Sequence, residues 1–186
     1  VLSVVIENDY QDTPASALEP HLDLSGLTKE EIVSIIGEAG IVGMGGATFP
    51  TDVKTVAGMG RVDTLIANAC ECEPYITADD ALLCTYPEQV LRGMGVLMAV
   101  LEPKRAVLAV EDNKSEAVGI LKKQMETFPG IELLILPTRY PQGAEKQLCQ
   151  SITGRQVPPG ALPAAIGCAV FNTVTTAAIY RAGYTG

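Results

Sequence analysis

Residues 40–54, with the sequence GIVGMGGATFPTDVK, combine a glycine-rich run with a single lysine at the end. Glycine lets the main chain approach a ligand closely and point several N–H groups in one direction. Lys54 would add a positive charge for a phosphate or for a polarisable ring. The spacing matches neither a GxxxxGK[ST] phosphate loop nor a GxGxxG dinucleotide fingerprint. The loop by itself is therefore compatible with a ligand site and equally with a flexible connector.

A second polar cluster, NACECEP at 68–74, follows a predicted strand. Asn68 offers both a donor and an acceptor, whereas the carboxylates of Glu71 and Glu73 only accept hydrogen bonds. Such groups suit the edge of a heteroaromatic ring or the hydroxyls of a ribose. The alternative interpretation is a solvated turn before Pro74.

Two predicted helices begin with polar residues. Glu145 follows Gly143 at the start of one helix, where free N–H groups favour an anion, although a solvated first turn explains the same residues. Asn172, Thr173 and Thr175 begin the last helix, where Asn or Thr also serves as a simple cap. These two helix starts are candidates for the same ligand as the loops.

Neither a metal site nor acid–base catalysis is predicted. The five cysteines are odd in number and form no CxxC pair, which favours a reducing compartment without a disulfide framework. Cys70 and Cys72 lie only one residue apart and have no histidine nearby, so small buried side chains are the preferred interpretation. His21, the single histidine, has no visible partner in the sequence, and Asp79 and Asp80 resemble ordinary charges at a helix start.

The elements that must position these residues alternate between strands and helices. The predicted strands are 1–8, 62–70, 105–112, 131–137 and 168–172, and the predicted helices are 28–40, 77–86, 87–102, 113–128, 142–154 and 173–183. This alternation predicts an α/β fold with a mostly parallel sheet and helices on both faces, in one domain spanning 1–186. Ligands of such sheets bind outside the carboxyl ends of the strands, where three of the polar loops fall.

Composition limits the possible partners. A formal net charge of −9 argues against nucleic acid or an anionic membrane as a general partner, and no apolar run reaches the roughly 18 residues of a membrane-spanning helix. The apolar content of 47%, without tryptophan, predicts an aliphatic core. Because the first residue is not methionine, we expect a domain of a longer protein.

Four segments together resemble one family. In chain order they are GIVGMGGATFPTDVK, LIANACECEPYITADD, YPQGAEKQLCQSITGRQVPPG and FNTVTTAAIYRA, within residues 32–182. They resemble the C subunit of the Rnf electron-transport complex, which is similar to the flavin-bearing, NADH-oxidising subunit of respiratory complex I. The pattern in complex I has arginine where this chain has Met44 and glycine where it has Thr48.

The resemblance implies a Rossmann-like, three-layer domain that binds FMN non-covalently, with NAD(H) stacked over the flavin. It assigns Gly43, Gly45, Gly46 and Lys54 to the flavin ring, Asn68, Cys70, Glu71 and Cys72 to the ring and ribityl chain, Gly143, Ala144 and Glu145 to closure of the site, and Asn172, Thr173 and Thr175 to the phosphate side. It implies Phe49 and Glu73 as candidates for the nicotinamide nucleotide.

The implied activity is hydride transfer between NAD(H) and flavin in an Rnf-type ferredoxin:NAD⁺ oxidoreductase. No side chain need act as acid or base, and Glu71 would shift the flavin potential by its charge. The family's iron–sulfur clusters are expected in other parts of the subunit, which would sit peripherally on the cytoplasmic side of the membrane, with this fragment soluble. Two alternatives remain: a docking module with an empty flavin pocket, or a relative that serves cobalamin or proline reduction.

Overall fold

The fold is described here for residues 3–13, 20, 24 and 26–185 of a computed structural model. Its helices are α1 (Lys29–Glu38), α2 (Thr51–Gly58), α3 (Ala78–Thr85), α4 (Pro87–Leu101), α5 (Ser115–Gln124), α6 (Glu145–Thr153) and α7 (Thr173–Tyr184). Its strands are β1 (Thr64–Ala69), β2 (Arg105–Glu111), β3 (Ile131–Leu136) and β4 (Cys168–Asn172). Short 3-10 turns lie at Met125–Thr127 and Pro163–Ile166.

The four strands form one sheet in the order β3-β2-β1-β4, and every neighbouring pair is parallel. Thr64, the first residue of β1, lies opposite Arg105 on one side and Cys168 on the other. The carboxyl ends of the strands therefore meet at one edge of the sheet. The predicted α/β fold is confirmed, and the described sheet is parallel throughout.

Alternating side chains of the strands cover two different faces of the sheet. Leu65 and Leu108 belong to the larger core, which also takes in apolar residues of α1, α3, α4, α5 and α7. Ile66 and Val107 point to the opposite face, where they pack with Leu148 of α6. This arrangement gives three layers, as the sequence predicts, with α6 alone among the α-helices contributing to the second core.

Local sequence signals fix the ends of several helices. At α1, the Thr28 hydroxyl accepts from the N–H of Glu31, and the Glu31 carboxylate accepts from the N–H of Thr28 at 2.7 Å. Pro87 occupies the first turn of α4, where its missing N–H is not needed. Asn172 caps α7, because its side-chain oxygen accepts from the N–H of Val174 at 2.9 Å.

A close contact between two helices sets the position of α7 under the sheet. A methyl group on Gly93 of α4 would overlap the carbonyl oxygen of Thr176 in α7. The absence of a side chain at 93 thus lets the two helices approach closely, and α7 carries three of the predicted site residues at or near its start.

Two predictions about elements are wrong. Residues 3–8 of the strand predicted at 1–8 form no strand, and residues 1 and 2 lie outside the described part. Val4 and Ile6 are 90% and 85% exposed, because no strand among the described residues pairs with this segment. Helix α2 was not predicted, since β-branched residues fill half of this short segment and hide its helical pattern. None of the helices in the described residues is long and apolar enough to cross a membrane.

Candidate functional site

The glycine loop between α1 and α2 lies against the start of α7. The N–H of Met44 donates to the Thr175 hydroxyl oxygen at 2.9 Å. The Cα of Gly45 is so close to α7 that an added Cβ would lie 3.3 Å from the Cβ of Asn172. The turn at residues 44–47 is itself exposed. The loop therefore presents exposed main chain at Gly45 and Gly46, together with the Met44 side chain, at the carboxyl edge of β4.

Lys54, on the first turn of α2, reaches across to α6. Its Nζ lies 2.9 Å from Oε1 of Glu145, and the same ammonium group lies 5.1 Å from the centre of the Phe171 ring. Both side chains of the ion pair are partly exposed. The pair connects the glycine loop to the start of α6, so two of the predicted site segments meet.

Gly143 brings the loop before α6 onto the end of β1. A side chain at 143 would overlap the carbonyl oxygen of Cys70, so glycine is required for this approach. Asn68 fixes the contact, because its Nδ2 donates to the Gly143 carbonyl at 2.9 Å and its Oδ1 accepts from the Cys70 N–H at 2.9 Å. Burial raises the pKa of the Cys70 thiol to about 12, so the thiol is neutral.

Glu71 turns into the protein, and its side chain is only 3% exposed. One oxygen accepts from the N–H of Asp79 at 3.0 Å, and the other lies 3.6 Å from Nζ of Lys114, beyond hydrogen-bond distance. Lys114 also lies 3.9 Å from the carboxylate of Asp80. The lysine thus holds the loop after β1 and the start of α3 together.

Asp79 corrects one interpretation from the sequence, because it is a buried structural carboxylate rather than an ordinary charge at a helix start. It accepts from Nδ2 of Asn172 at 3.0 Å and from the hydroxyl of Thr173 at 2.7 Å. Burial raises the pKa of Asp79, and these two donors partly offset that effect. Nothing in the sequence distinguishes it from Asp80, which is more exposed.

Glu111, the last residue of β2, is a buried carboxylate at this edge that sequence reasoning did not single out. It is fully buried, and neither carboxylate oxygen has a hydrogen-bond partner within the described residues. Burial raises its pKa, and neither the nearby main chain of Arg139 nor the charge of Lys114 cancels the effect. The only sequence signal was a carboxylate at the end of an otherwise apolar strand.

Two surface cavities of the described part lie away from this edge. One of about 500 Å³ is bordered by residues of α3, α4 and α7, and one of about 320 Å³ is bordered by residues 60–63, 101, 102 and 104. None of the predicted site residues lines either of them.

The residues at this edge fit a flavin nucleotide. The glycine turn offers exposed main chain at Gly45 and Gly46, next to the half-exposed side chain of Met44, and a flat ring requires main chain that it can approach closely. Lys54 supplies a partly exposed positive charge beside it. Within the described residues, no group of three or more His, Cys, Asp or Glu side chains is arranged to hold a metal ion.

Comparison with known families agrees with this arrangement. Residues 36–181 match the family model described as the Nuo51 FMN-binding domain. The chain belongs to this family. The matched range contains every residue that the sequence resemblance assigned to the flavin and the nicotinamide.

Curated relatives of this Nuo51-type domain belong to oxidoreductase complexes. The chain is 45% identical over 181 residues to the C subunit of the ion-translocating oxidoreductase complex of Serratia proteamaculans, covering 97% of the chain and 26% of the relative. It is 43% identical to the C subunit of the Na⁺-translocating ferredoxin:NAD⁺ oxidoreductase complex of Acetobacterium woodii, covering 100% of the chain and 42% of the relative. The chain thus spans less than half the length of these relatives, and its resemblance to the Rnf C subunit is confirmed.

A solved structure supports the fold of the Nuo51-type domain. A chain of an NAD⁺-reducing [NiFe]-hydrogenase in the H2-reduced state matches with a TM-score of 0.68 and 26% identity, over 83% of this chain and 31% of the other. The predicted fold class is therefore confirmed by a solved protein as well as by the sheet itself.

The predicted site residues of the Nuo51-type domain fall into two groups, those that contacts join and those that are only exposed. Contacts join the glycine loop, Lys54, Asn68, Cys70, Gly143, Glu145 and the start of α7. Phe49 and Glu73 are both exposed. Their roles toward FMN or NAD(H) stay predictions, and His21 lies outside the described residues.

Proposed function

We propose that this chain binds FMN at the carboxyl edge of its sheet and transfers hydride between NAD(H) and the flavin, as a domain of a ferredoxin:NAD⁺ oxidoreductase complex. The observation that carries the proposal is the meeting of the glycine loop, the end of β1 and the start of α6 at one edge, within a Nuo51 FMN-binding domain. Parallel α/β sheets bind ligands at this edge.

The proposed flavin contacts are those that the resemblance to the Rnf C subunit implies. Gly43, Gly45 and Gly46 would line the flavin, and Lys54 would contact it. Asn68, Cys70, Glu71 and Cys72 would surround the flavin and its ribityl chain, and Gly143, Ala144 and Glu145 would close the site. Asn172, Thr173 and Thr175 would hold the phosphate side, at the positive end of the α7 dipole.

The names of similar proteins support NAD(H) as the substrate and other subunits of the complex as partners. The Acetobacterium relative is named for ferredoxin and NAD⁺, and the hydrogenase neighbour is named for NAD⁺ reduction. Phe49 is half exposed beside the glycine turn, where its ring is free to stack on a nucleotide. The iron–sulfur clusters and peripheral attachment on the cytoplasmic side of a membrane complex belong to the whole subunit in this proposal.

In this mechanism the protein orients the cofactor and adjusts its charge environment. FMN supplies the exchange between a two-electron hydride and single electrons. The Lys54 ammonium favours added negative charge in the site, whereas the carboxylate of Glu71 opposes it. The positive charge of Lys114, 3.6 Å from that carboxylate, partly compensates the negative charge of Glu71. No side chain is required to donate or accept the hydride.

The test is a titration of flavin-stripped protein with FMN, followed by addition of NADH without oxygen. We expect saturable quenching of flavin fluorescence, and then bleaching of the flavin absorbance by NADH. Lys54→Ala should weaken FMN binding by about tenfold, because a charge-assisted contact of ~1.4 kcal/mol is lost. Lys122→Ala, at an exposed position of α5, is the matched control and should bind like the parent protein.

The other results separate the alternatives. Binding of FMN without bleaching by NADH would leave a flavin domain without a nicotinamide site. Failure of a folded sample to bind FMN would contradict the proposal and favour a docking module. Glu71→Gln should raise the flavin midpoint potential, because a negative charge that opposes reduction is removed, and an unchanged potential would exclude Glu71 as a tuning residue.

A further inference from the structure

Glu111 is a carboxylate buried at the end of a strand, and strand pairing does not explain why a charged residue is buried there. It ends β2 directly opposite Leu136 of β3, and it is fully buried with both carboxylate oxygens unpartnered within the described residues. Side chains alternate along a strand, and Val107 and Ala109 point to the face that α6 covers. Glu111 therefore points to the same face as Cys70, whose carbonyl contacts Gly143.

Charged and polar groups from several elements face Glu111. Lys114, before α5, attracts its charge, while Asp112 and Glu73 repel it. The main chain of Arg139 approaches from the connection between β3 and α6. Glu111 in turn helps to raise the pKa of the Cys70 thiol. Its carboxyl consequently lies in the wall of the proposed flavin site, next to the loop that carries Gly143.

The buried charges at this edge do not balance. Glu71, Asp79 and Glu111 are buried carboxyl groups, and Lys114 is the only described cation that pairs with any of them. Asp79 has side-chain donors, and Glu71 has a main-chain donor together with Lys114. Glu111 has no side-chain donor within the described residues, and the approaching main chain of Arg139 does not offset its burial. An ionised carboxylate without donors in a dry environment is strongly disfavoured. Glu111 is thus the group that holds a proton most readily.

We propose that Glu111 is a redox-linked proton site: its carboxylate binds a proton from water when electrons enter the neighbouring cofactor site, and releases it when they leave. The proposal rests on FMN binding at this edge. The electrons come from NADH and remain on the cofactor, so Glu111 changes only its protonation. Negative charge arriving nearby favours the neutral carboxyl, as any like charge does.

The first measurement needs no flavin. Because burial raises the pKa of Glu111, the folded protein holds this proton at a pH where the unfolded chain has lost it, and stability falls as pH rises through the folded pKa. Glu111→Gln lacks this titration. The stability of the variant relative to the parent should therefore rise with pH, and a difference that is independent of pH would overturn the proposal. Glu116→Gln, at an exposed position of α5, should follow the parent.

The second measurement is the midpoint potential of bound FMN as a function of pH. Where Glu111 titrates, the parent potential should fall more steeply than that of Glu111→Gln, by up to about 30 mV per pH unit, because a tenfold change is worth that much in a two-electron couple. The two potentials should converge at acid pH, with the variant higher at alkaline pH. Glu111→Asp should restore the steeper slope, which a purely structural role would not require.

The outcomes distinguish the two proposals. Parallel potentials at every pH, with FMN bound, would overturn the role of Glu111 and leave the flavin function intact. Failure of the parent protein to bind FMN would overturn the flavin function and, with it, the redox linkage. A steeper slope that disappears in Glu111→Gln and persists in Glu116→Gln would support the proposal.

Discussion

The two edges of the sheet differ in how their acidic side chains are paired. At the amino edge, Asp63 accepts two hydrogen bonds of 2.8 Å from Arg155, and Arg105 binds Glu132 through two contacts of 2.8 and 2.9 Å. At the carboxyl edge, Glu111 has no partner among the described residues. The charged pairs lower the pKa values of the acids at the first edge, and burial raises the pKa of Glu111 at the second.

The difference indicates which edge serves stability and which serves function. Bidentate ion pairs hold their charges in fixed positions and leave no acceptor for a ligand. An unbalanced set of carboxylates around one lysine responds to charge brought in from outside, which suits a site that receives electrons. Strained and unsatisfied groups concentrate at functional sites for this reason.

The largest expected effect is at Asp79, the satisfied carboxylate of the carboxyl edge. Asp79→Ala removes the acceptor of Asn172 and Thr173 and leaves one part-buried and one buried donor unpaired, so we expect a loss of about 3 kcal/mol in the free energy of unfolding. Urea denaturation measures this loss. Asp80→Ala should cost under about 1 kcal/mol, and equal costs would mean that the network around Asp79 does not stabilise this edge.

Gly143→Ala tests whether the loop before α6 must contact the carbonyl of Cys70 as closely as it does. The new methyl group would overlap the carbonyl of Cys70, so we expect a loss of about 1–3 kcal/mol in stability, together with loss of FMN binding. Gly119→Ala, where an added Cβ meets nothing within 4 Å, should instead stabilise α5 by about 0.5–1 kcal/mol. Normal FMN affinity in Gly143→Ala would show that this contact is not part of the site.

Asp63→Asn tests the amino edge through its pH dependence. The hydrogen bonds from Arg155 lower the pKa of Asp63 from 3.8 to about 2, so its stabilising effect is present above pH 3.8 and is lost as pH falls toward 2. We expect a loss of about 1 kcal/mol or less at neutral pH, because solvent screens this half-exposed pair. Thermal unfolding should show the parent and variant converging in acid, whereas Glu111→Gln and its parent diverge as pH rises. A pH-independent difference for Asp63→Asn would contradict this contrast.

The smallest expected effect concerns strain in the glycine loop. Thr48 has a φ of 47°, in the left-handed region that disfavours β-branched residues. Thr48→Gly relieves this strain but gives the unfolded chain more freedom, so we expect a net gain of about 0.5 kcal/mol or less. Ala47→Gly, at a neighbouring position without positive φ, should lose a similar amount in the same unfolding assay. A loss in both variants would show that the strain at 48 is negligible.

Much of the fold was predictable because its signals are local. The capping pair Thr28 and Glu31 and the proline at 87 begin two helices through residues close in sequence, and the structure confirms helices and aliphatic strands in the predicted ranges 28–40, 87–102 and 62–70. Helix α2 was missed because its propensity is weak and its stability comes from packing against α1 and α4. The strand predicted from the apolar residues near the start failed because pairing needs a neighbour, which local sequence does not provide.

The sequence by itself determined the alternation of elements and the grouping of polar loops at the carboxyl ends of parallel strands, because both follow from periodicity and chain direction. Only the tertiary structure decided the state of the individual carboxylates. Asp79 finds its donors on a helix more than 90 residues away, while Glu111, at the end of the neighbouring strand β2, finds none within the described residues. The physical reason is that burial and pairing of a charge depend on which distant segments pack against it, and strand register fixes those neighbours.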